Sequence, residues 1–426
     1  MTTEELYHIY LKNTAVQTDT RKIKAGDIFF ALKGEKFNGN AFSKQAIDAG
    51  AVYSVIDEKE YEIAGKTILV KNVLEALQVL AKHHRQQFNS PFLAITGSNG
   101  KTTTKELMHA VLSTTYKSYT TEGNLNNQIG IPLTILKIKP DAEIAVIEMG
   151  ANHQKEIASY CSYTLPTHGI ITNCGKAHLE GFGGLDGVKK GKGELFDYLR
   201  SNNGTAFVMW DYDYLHEMSK GIPTIFKYGT VDSDIEGQVV KSEPFLEVMI
   251  NHGANISSIK TQLVGDYNLP NVLAAVAVGK YFKVPDDKIK AAIENYSPSN
   301  NRSQLLQRGT NTIILDAYNA NPGSMKPAIE NFGHLSAGKK VLILGGMAEL
   351  GDESLHEHMA IVDLIKKYQW KNVVLVGGDF LNFDHPFIKY NTAEEAKVWL
   401  KQQHFEDTHF LIKGSRNMQM EKVFEN

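Results

Sequence analysis

Gly97-Ser98-Asn99-Gly100-Lys101-Thr102 has the residue types and order of a loop that cradles phosphate. It follows an apolar run, Phe92-Leu93-Ala94-Ile95-Thr96, and opens a stretch of helical character from Thr102 to Leu112. In such a strand–turn–helix, backbone N–H groups point at the anion and the helix N-terminus adds positive potential. Lys101 would reach the β- and γ-phosphates of a nucleotide, and the Thr102 hydroxyl would face Mg²⁺. The common motif has its first glycine five positions before Gly100. That position is Ile95 and the glycine is Gly97, so this loop is two residues shorter.

Glu148 ends the apolar run Ile144–Ile147, where an acid in a sheet with a phosphate loop is placed to hold Mg²⁺. His178 follows a strand that ends near Asn173. Alone, each reads as a solvated strand end or an idle loop histidine. Together they gain weight, because parallel strands deliver their carboxyl ends to one crevice. Lys189, Lys190 and Lys192 sit among glycines; a solvated basic stretch suits the first two. Asn268 and Asn271 precede the apolar run Val272–Val278. Their amides can donate to and accept from an adenine edge, or Asn271 could be only a helix N-cap.

The elements that must position these residues form three α/β units. In residues 1–88, Asp27–Leu32 reads as a buried strand ended by a turn at Lys33-Gly34. A helix over Ala41–Gly50 and a strand over Val52–Ile56 follow. In residues 89–300, apolar strands over 92–96, 144–150, 169–173 and 206–209 alternate with helical stretches, which implies a mainly parallel sheet covered on both faces. In residues 301–426, strands over 312–315, 341–344, 373–376 and 410–412 end in Asp316, Gly345, Gly377 and Lys413-Gly414, again a doubly wound rhythm.

Bulk properties agree. A chain of 426 residues predicts two or three domains. The net charge of −3, from 45 basic and 48 acidic residues, argues against a strongly basic nucleic-acid binder. Charged residues at 22% argue against disorder. Two cysteines, Cys161 and Cys174, fit a reducing compartment, so a cytoplasmic location is expected. The start, Met1-Thr2-Thr3-Glu4-Glu5, is acidic where a signal peptide is basic. The run Val272–Gly279 is far too short to span a membrane.

At this point the sequence resembles the Mur ligases of peptidoglycan synthesis. The resemblance rests on Gly97–Thr104, Gly123-Asn-Leu-Asn-Asn-Gln-Ile-Gly130, Glu148-Met-Gly-Ala-Asn-His153 and Ala177-His-Leu-Glu-Gly-Phe-Gly183. It extends to Thr18–Arg21, Phe30–Glu35, Asp316–Ser324, Leu344–Gly351 and Ile412–Arg416, and so covers nearly the whole chain. It implies a small N-terminal UDP-sugar-binding unit, a central P-loop ATPase domain with a parallel sheet, and a C-terminal Rossmann-like domain for the amino substrate. It also implies the reaction: ATP phosphorylates the terminal carboxylate of a UDP-N-acetylmuramoyl-tripeptide, and the amine of D-alanyl-D-alanine attacks the acyl phosphate. Two Mg²⁺ ions would be used, Thr102 and Glu148 matching ligands of the first and His178 a ligand of the second. Lys192 would carry a CO₂-derived carbamate able to contact a metal.

By the same resemblance, Lys101, Lys192, His178 and Asn127 are the catalytic set. Thr103 joins Gly97–Thr102 at ATP, with Asn268 and Asn271 at the adenine, Arg302 at phosphate and Asp316 at the ribose. Thr20, Arg21, Lys33 and Gly34 would lie near the UDP-sugar. Asn319, Asn321, Lys413 and Ser415 fall to the dipeptide region. A monomer without nucleic-acid partner is expected. Three segments depart from the family pattern: Thr20 stands for Ser, Asn38-Gly39-Asn40 for Asp-Gly-His, and Gly346 for a frequent Asp. Two other readings stand beside this one. A folylpolyglutamate synthase-like ligase would lack the first 88 residues. A P-loop nucleotide switch would explain the phosphate loop but not Lys192, His178 and the third unit together.

Overall fold

A computed structural model describes residues 1–13, 15–299 and 301–425. The boundary expected at residue 300 falls on a residue outside this set. Three large sheets carry the chain. The first is parallel, in the order Val16–Gln17, Ile28–Phe30, Tyr53–Ile56, Thr67–Leu69. The reversal expected at Lys33-Gly34 comes later: these residues pair antiparallel with Phe37-Asn38, so Glu35 and Lys36 make the turn. The helix expected over 41–50 is broken into a 3₁₀ turn, Gly39–Phe42, and a short helix, Ser43–Asp48. The Asn38 side chain accepts from the Asn40 N–H and forces the tighter start.

The middle sheet has nine strands. Phe92–Thr96 lies between His168–Ile171 on one side and Ile144–Glu148 on the other, all parallel. From Phe92–Thr96 the chain first builds outward to Ser118–Thr120 and Ile144–Glu148, then crosses to His168–Ile171. The strand feeding the phosphate loop therefore sits where the winding changes direction, the place where such sheets bind ligands. Its five residues are all buried, as a parallel strand covered by helices on both faces requires. Beyond Thr205–Met209 and Thr224–Gly229 the sheet continues with Ile235–Lys241, Glu247–His252 and Ser258–Lys260, whose mutual pairings are antiparallel. That extension has no counterpart in the expected pattern. Its longest apolar run is Val248-Met249-Ile250, with Met249 exposed, whereas the central strands bury longer runs.

The third sheet is Gln304–Arg308, Asn311–Asp316, His409–Lys413, Lys340–Gly345, Asn372–Val376, Ile388–Tyr390, antiparallel only in the first pairing. The last strand in sequence inserts beside Asn311–Asp316, and its register sets Lys413 opposite Asp316. Among the described residues, no helix is long and apolar enough to cross a membrane.

The helix Val73–Arg85 joins the first sheet to the second. Asn72 caps its N–H groups, and Leu77, Leu80 and Ala81 are buried on one face against the helices Gly130–Leu136 and Glu156–Thr164. It ends in Arg85, which is buried and lies 3.8 Å over the Phe92 ring. The guanidinium donates to the carbonyls of Thr164 (3.0 Å), Phe88 (2.8 Å) and Leu165 (3.2 Å). Thr164 and Leu165 close a helix whose last carbonyls have no helical partner, so the cation meets partial negative charge there. Burial pushes its pKa down to about 10, still far above neutrality. Arg85→Ala leaves these carbonyls without a donor and is expected to cost roughly 2–4 kcal/mol. Denaturant unfolding should show an earlier transition; a midpoint equal to wild type would contradict this role.

Candidate active site

The phosphate loop is braced by the next strand end. The Ser98 N–H donates to the Asn173 carbonyl (2.9 Å) and the Asn99 N–H to Asn173 Oδ1 (3.0 Å). Ser98 Oγ donates to the Gly175 carbonyl and Thr172 Oγ1 to the Asn99 carbonyl, at 3.0 and 2.6 Å. Glycine is required at both ends of the turn. Gly97 has φ +144°, and a Cβ there would meet Thr172 Oγ1 at 2.0 Å. Gly100 has φ +79°, and a Cβ would meet Asn271 Oδ1 at 2.6 Å. The short loop is thus held by neighbours that leave it no room. Lys101 opens the helix Lys101–Ser113 and folds back, Nζ donating to the carbonyls of Gly97 (2.7 Å) and Ser98 (3.3 Å). Burial lowers its pKa; nearby Glu148 opposes that shift and Arg302 adds to it.

Thr102 and Glu148 meet as expected. Thr102 Oγ1 donates to Glu148 Oε1 at 3.1 Å, and Asn126 Nδ2 to the same oxygen at 2.9 Å. The other carboxylate oxygen, Glu148 Oε2, is buried with no donor. Buried anionic oxygens are seldom left without a partner. A hydroxyl beside such an oxygen is the hard donor set that suits Mg²⁺, so these residues fit the ion. His178 lines the same cavity, with a left-handed backbone (φ +54°) and Nδ1 against the Glu349 carboxylate. The imidazole beside Glu349 holds its carboxyl below the usual range.

Lys192 is 1% exposed. Its Nζ donates to the Ala151 carbonyl at 2.9 Å and lies 4.8 Å from the Phe182 ring centre. Ala151 lines the cavity. Burial, helped by the charge of Lys101, pushes the Lys192 pKa down to about 7. Lys190 is exposed and Lys189 half-buried, as a solvated stretch would be.

A cavity of about 960 Å³ gathers the residues from Ser98 to Thr103, Asn127, Glu148 and His178 of the middle unit with Arg302, Asp316, Asn319 and Lys413. Arg302 stacks on Tyr318, 3.6 Å from the ring centre. Lys413 Nζ pairs with Asp316 Oδ2 at 2.6 Å, and the Ser303 N–H donates to Asp316 Oδ1 at 3.2 Å. Asn321 caps the helix Pro322–His334 and donates to Asn99 Oδ1 at 2.8 Å, so the third unit touches the phosphate loop directly. Ser415 lies apart, at a second cavity of about 510 Å³ that shares Thr102, His178, Arg302 and Asn319 with the first.

Several residues are engaged within the protein. Asn268 and Asn271 also line the large cavity, but their amides are partly spent: Asn271 Nδ2 donates to Asn268 Oδ1 (2.8 Å), and Thr104 Oγ1 to Asn271 Oδ1 (2.9 Å). Asn271 is not an N-cap, because the helix starts at Leu269. Asn127 Oδ1 accepts from the N–H groups of Ile129 and Gly130, which starts the helix Gly130–Leu136. Thr20, Arg21, Lys33 and Gly34 line neither cavity. Arg21 is exposed and pairs with Asp19 (2.8 Å); Lys33 pairs with Asp57 (2.9 Å) and Glu58 (2.8 Å). The Asn38 and Asn40 departures serve this network, Asn40 Nδ2 donating to Asp57 at 2.9 Å. Gly346 is forced: a Cβ would meet Gly378 Cα at 2.7 Å, which leaves no space for Asp.

Asn126, Asn173, Tyr318 and Glu349 were not singled out by sequence. Asn126 and Tyr318 lie inside segments that carried the resemblance. Glu349 also lies inside such a segment, Leu344–Gly351, and Asn173 closes a strand, but only the tertiary fold reveals their partners.

Family models match in chain order: "Mur ligase family, catalytic domain" at residues 12–85, "Mur ligase middle domain" at 95–279, and "Mur ligase, glutamate ligase domain" at 301–417. A UDP-N-acetylmuramoyl-tripeptide–D-alanyl-D-alanine ligase of Escherichia coli (strain K12) is 36% identical, over 96% of this chain and 92% of the relative. The protein of the same name from Bacillus subtilis (strain 168) is 33% identical over the same shares. A crystal structure of MurF from Acinetobacter baumannii has a TM-score of 0.88 at 28% identity and covers 99% of this chain and 97% of its own. A folylpolyglutamate synthase of Thermotoga maritima shares the fold alone, with a TM-score of 0.61 at 12% identity over 81% of this chain and 91% of its own. With the phosphate loop, the Glu148 site and the third unit meeting in one cavity, the chain belongs to the Mur ligase family.

Proposed function

We propose that the chain is an ATP-dependent amide ligase that joins D-alanyl-D-alanine to UDP-N-acetylmuramoyl-tripeptide, a step of peptidoglycan precursor synthesis. The observation that carries this reading is the single cavity in which Lys101, Glu148, Arg302 and Asp316 converge from two units. A nucleotide switch needs only the first two. The first unit, residues 1–88, would hold the UDP-sugar through Thr20, Arg21, Lys33 and Gly34; the third, from 301, would bring the dipeptide to Asn319, Asn321, Lys413 and Ser415.

The chemistry follows from charge. A carboxylate is a poor electrophile and must be activated. Its oxygen attacks the γ-phosphorus, the bond to the bridging oxygen breaks, and ADP leaves. The dipeptide amine then attacks the acyl carbon, loses a proton, and the carbon–oxygen bond to phosphate breaks. Two anions meet in the first step. Lys101 and Arg302 screen them, while the loop N–H groups not given to Asn173 fix the phosphates. Mg²⁺ held by Thr102 and Glu148 would add charge neutralisation at the phosphates. The Asn321–Asn99 hydrogen bond docks the third unit on the phosphate loop, and such docking would limit access of water to the acyl phosphate.

Lys192 is read as a carbamate. Its neutral amine attacks CO₂, a nitrogen–carbon bond forms, and one proton leaves, so a cation becomes a carboxylate-like anion. Its burial and its pKa of about 7 support a neutral amine at working pH.

Phosphate release should require ATP, UDP-tripeptide and dipeptide together, with the pentapeptide product seen by mass. Release without either acceptor would favour a switch. In that assay Lys101→Ala is expected to lose on the order of 10²-fold or more in turnover while keeping its circular dichroism. Near-normal turnover would remove Lys101 from the mechanism.

Lys192→Ala should be inactive and regain turnover with added acetate or another small carboxylate. Full activity without rescue, or rescue by amines alone, would rule out the carbamate.

A further inference from the structure

His178 and Glu349 face each other across the junction of the second and third units. The His178 Nδ1 is in contact with the Glu349 carboxylate. Both residues have left-handed backbones, φ +54° and +61°, which non-glycine residues adopt only when their surroundings hold them. Those surroundings are a close fit of two segments. The Glu180 N–H donates to the Glu349 carbonyl at 3.4 Å. A Cβ on Gly351 would lie 3.3 Å from Glu180 Cβ, and Leu350 between them is buried. The loop carrying Glu349 is thus seated on the segment carrying His178. Both side chains border the second cavity, which also contains Thr102.

A histidine that binds a metal needs one nitrogen free of its proton and aimed at the ion. It usually gives the other N–H to a carboxylate or carbonyl, which fixes tautomer and ring orientation. With Nδ1 set against the Glu349 carboxylate, Nε2 is the ring nitrogen that remains. We propose that Glu349 is a positioning residue for His178: its carboxylate accepts the Nδ1 proton, holds Nε2 ready for a divalent cation, and does so only when the third unit is docked. This rests on the ligase reading above and extends it by making one metal position depend on a residue from another domain. A docking role alone explains less. Glu349 is half-exposed, its side chain at 51%, and an exposed ion pair adds little to docking. The third unit already has Lys176 against the buried Glu357 and Asn321 on Asn99.

The test counts bound Mn²⁺ by electron paramagnetic resonance, with a non-hydrolysable ATP analogue and UDP-tripeptide present, on wild type, Glu349→Ala and Glu349→Gln. Wild type should bind two ions. Glu349→Ala should keep the tighter one and weaken the other by about 10-fold or more. Glu349→Gln retains an oxygen that accepts the Nδ1 proton and should stay within about 3-fold of wild type, whereas an ion pair serving docking would place Gln with Ala. Equal binding by Glu349→Ala, a joint weakening of both ions, or Gln falling with Ala overturns the proposal. Turnover is measured on the same preparations. A wild type that ligates but binds one Mn²⁺ removes the role of Glu349 alone, and one that does not ligate removes the ligase reading with it.

Discussion

The structure depends on a turn with no spare volume. Between Gly97 and Gly100 the chain passes so close to Thr172 and Asn271 that a methyl group fits at neither glycine. This crowding fixes the direction of the loop N–H groups before any phosphate arrives, which is what preorganised electrostatic stabilisation requires. It also ties the loop to two other elements. The strand His168–Ile171 runs on into the brace, Thr172–Gly175, which leads to His178. The helix Leu269–Tyr281 contributes Asn271, linked through Thr104 to the phosphate-loop helix.

From that fixed turn the other parts take their places by register. Ile95 pairs with Glu148 across adjacent parallel strands, so the carboxylate arrives one step from the loop. Asn126 and Thr102 donate to one carboxylate oxygen, the Thr121 hydroxyl accepts from the Glu148 backbone N–H, and the other buried oxygen stays without a donor. In the third unit the same logic sets Asp316 beside Lys413. Two sheets thus present strand ends to one cavity, and Asn321 against Asn99 joins them.

Much of this was legible in the residues. The phosphate loop, Glu148 and the strands of both doubly wound sheets are local signals: apolar runs that end in glycine or an acid. The apolar strand Phe92–Thr96 has the bounds expected of it. What was hidden is of two kinds. The antiparallel strands between Ile235 and Lys260 hold no apolar run longer than Val248-Met249-Ile250, too short to betray a buried strand. Long-range partners were hidden as well. Nothing near Glu349 in sequence points to His178. Lys192 was separated from Lys189 and Lys190 only by the resemblance; the fold supplies the physical difference, which is burial.

The central claim is that the substrate carboxylate, not water, takes the phosphoryl group. The direct measurement is isotope transfer. With ¹⁸O in both oxygens of the terminal carboxylate of UDP-tripeptide, turnover with ATP and D-alanyl-D-alanine is followed by mass analysis of the released phosphate. An acyl-phosphate route places one ¹⁸O in each phosphate. Phosphate free of ¹⁸O alongside formed product would contradict the account.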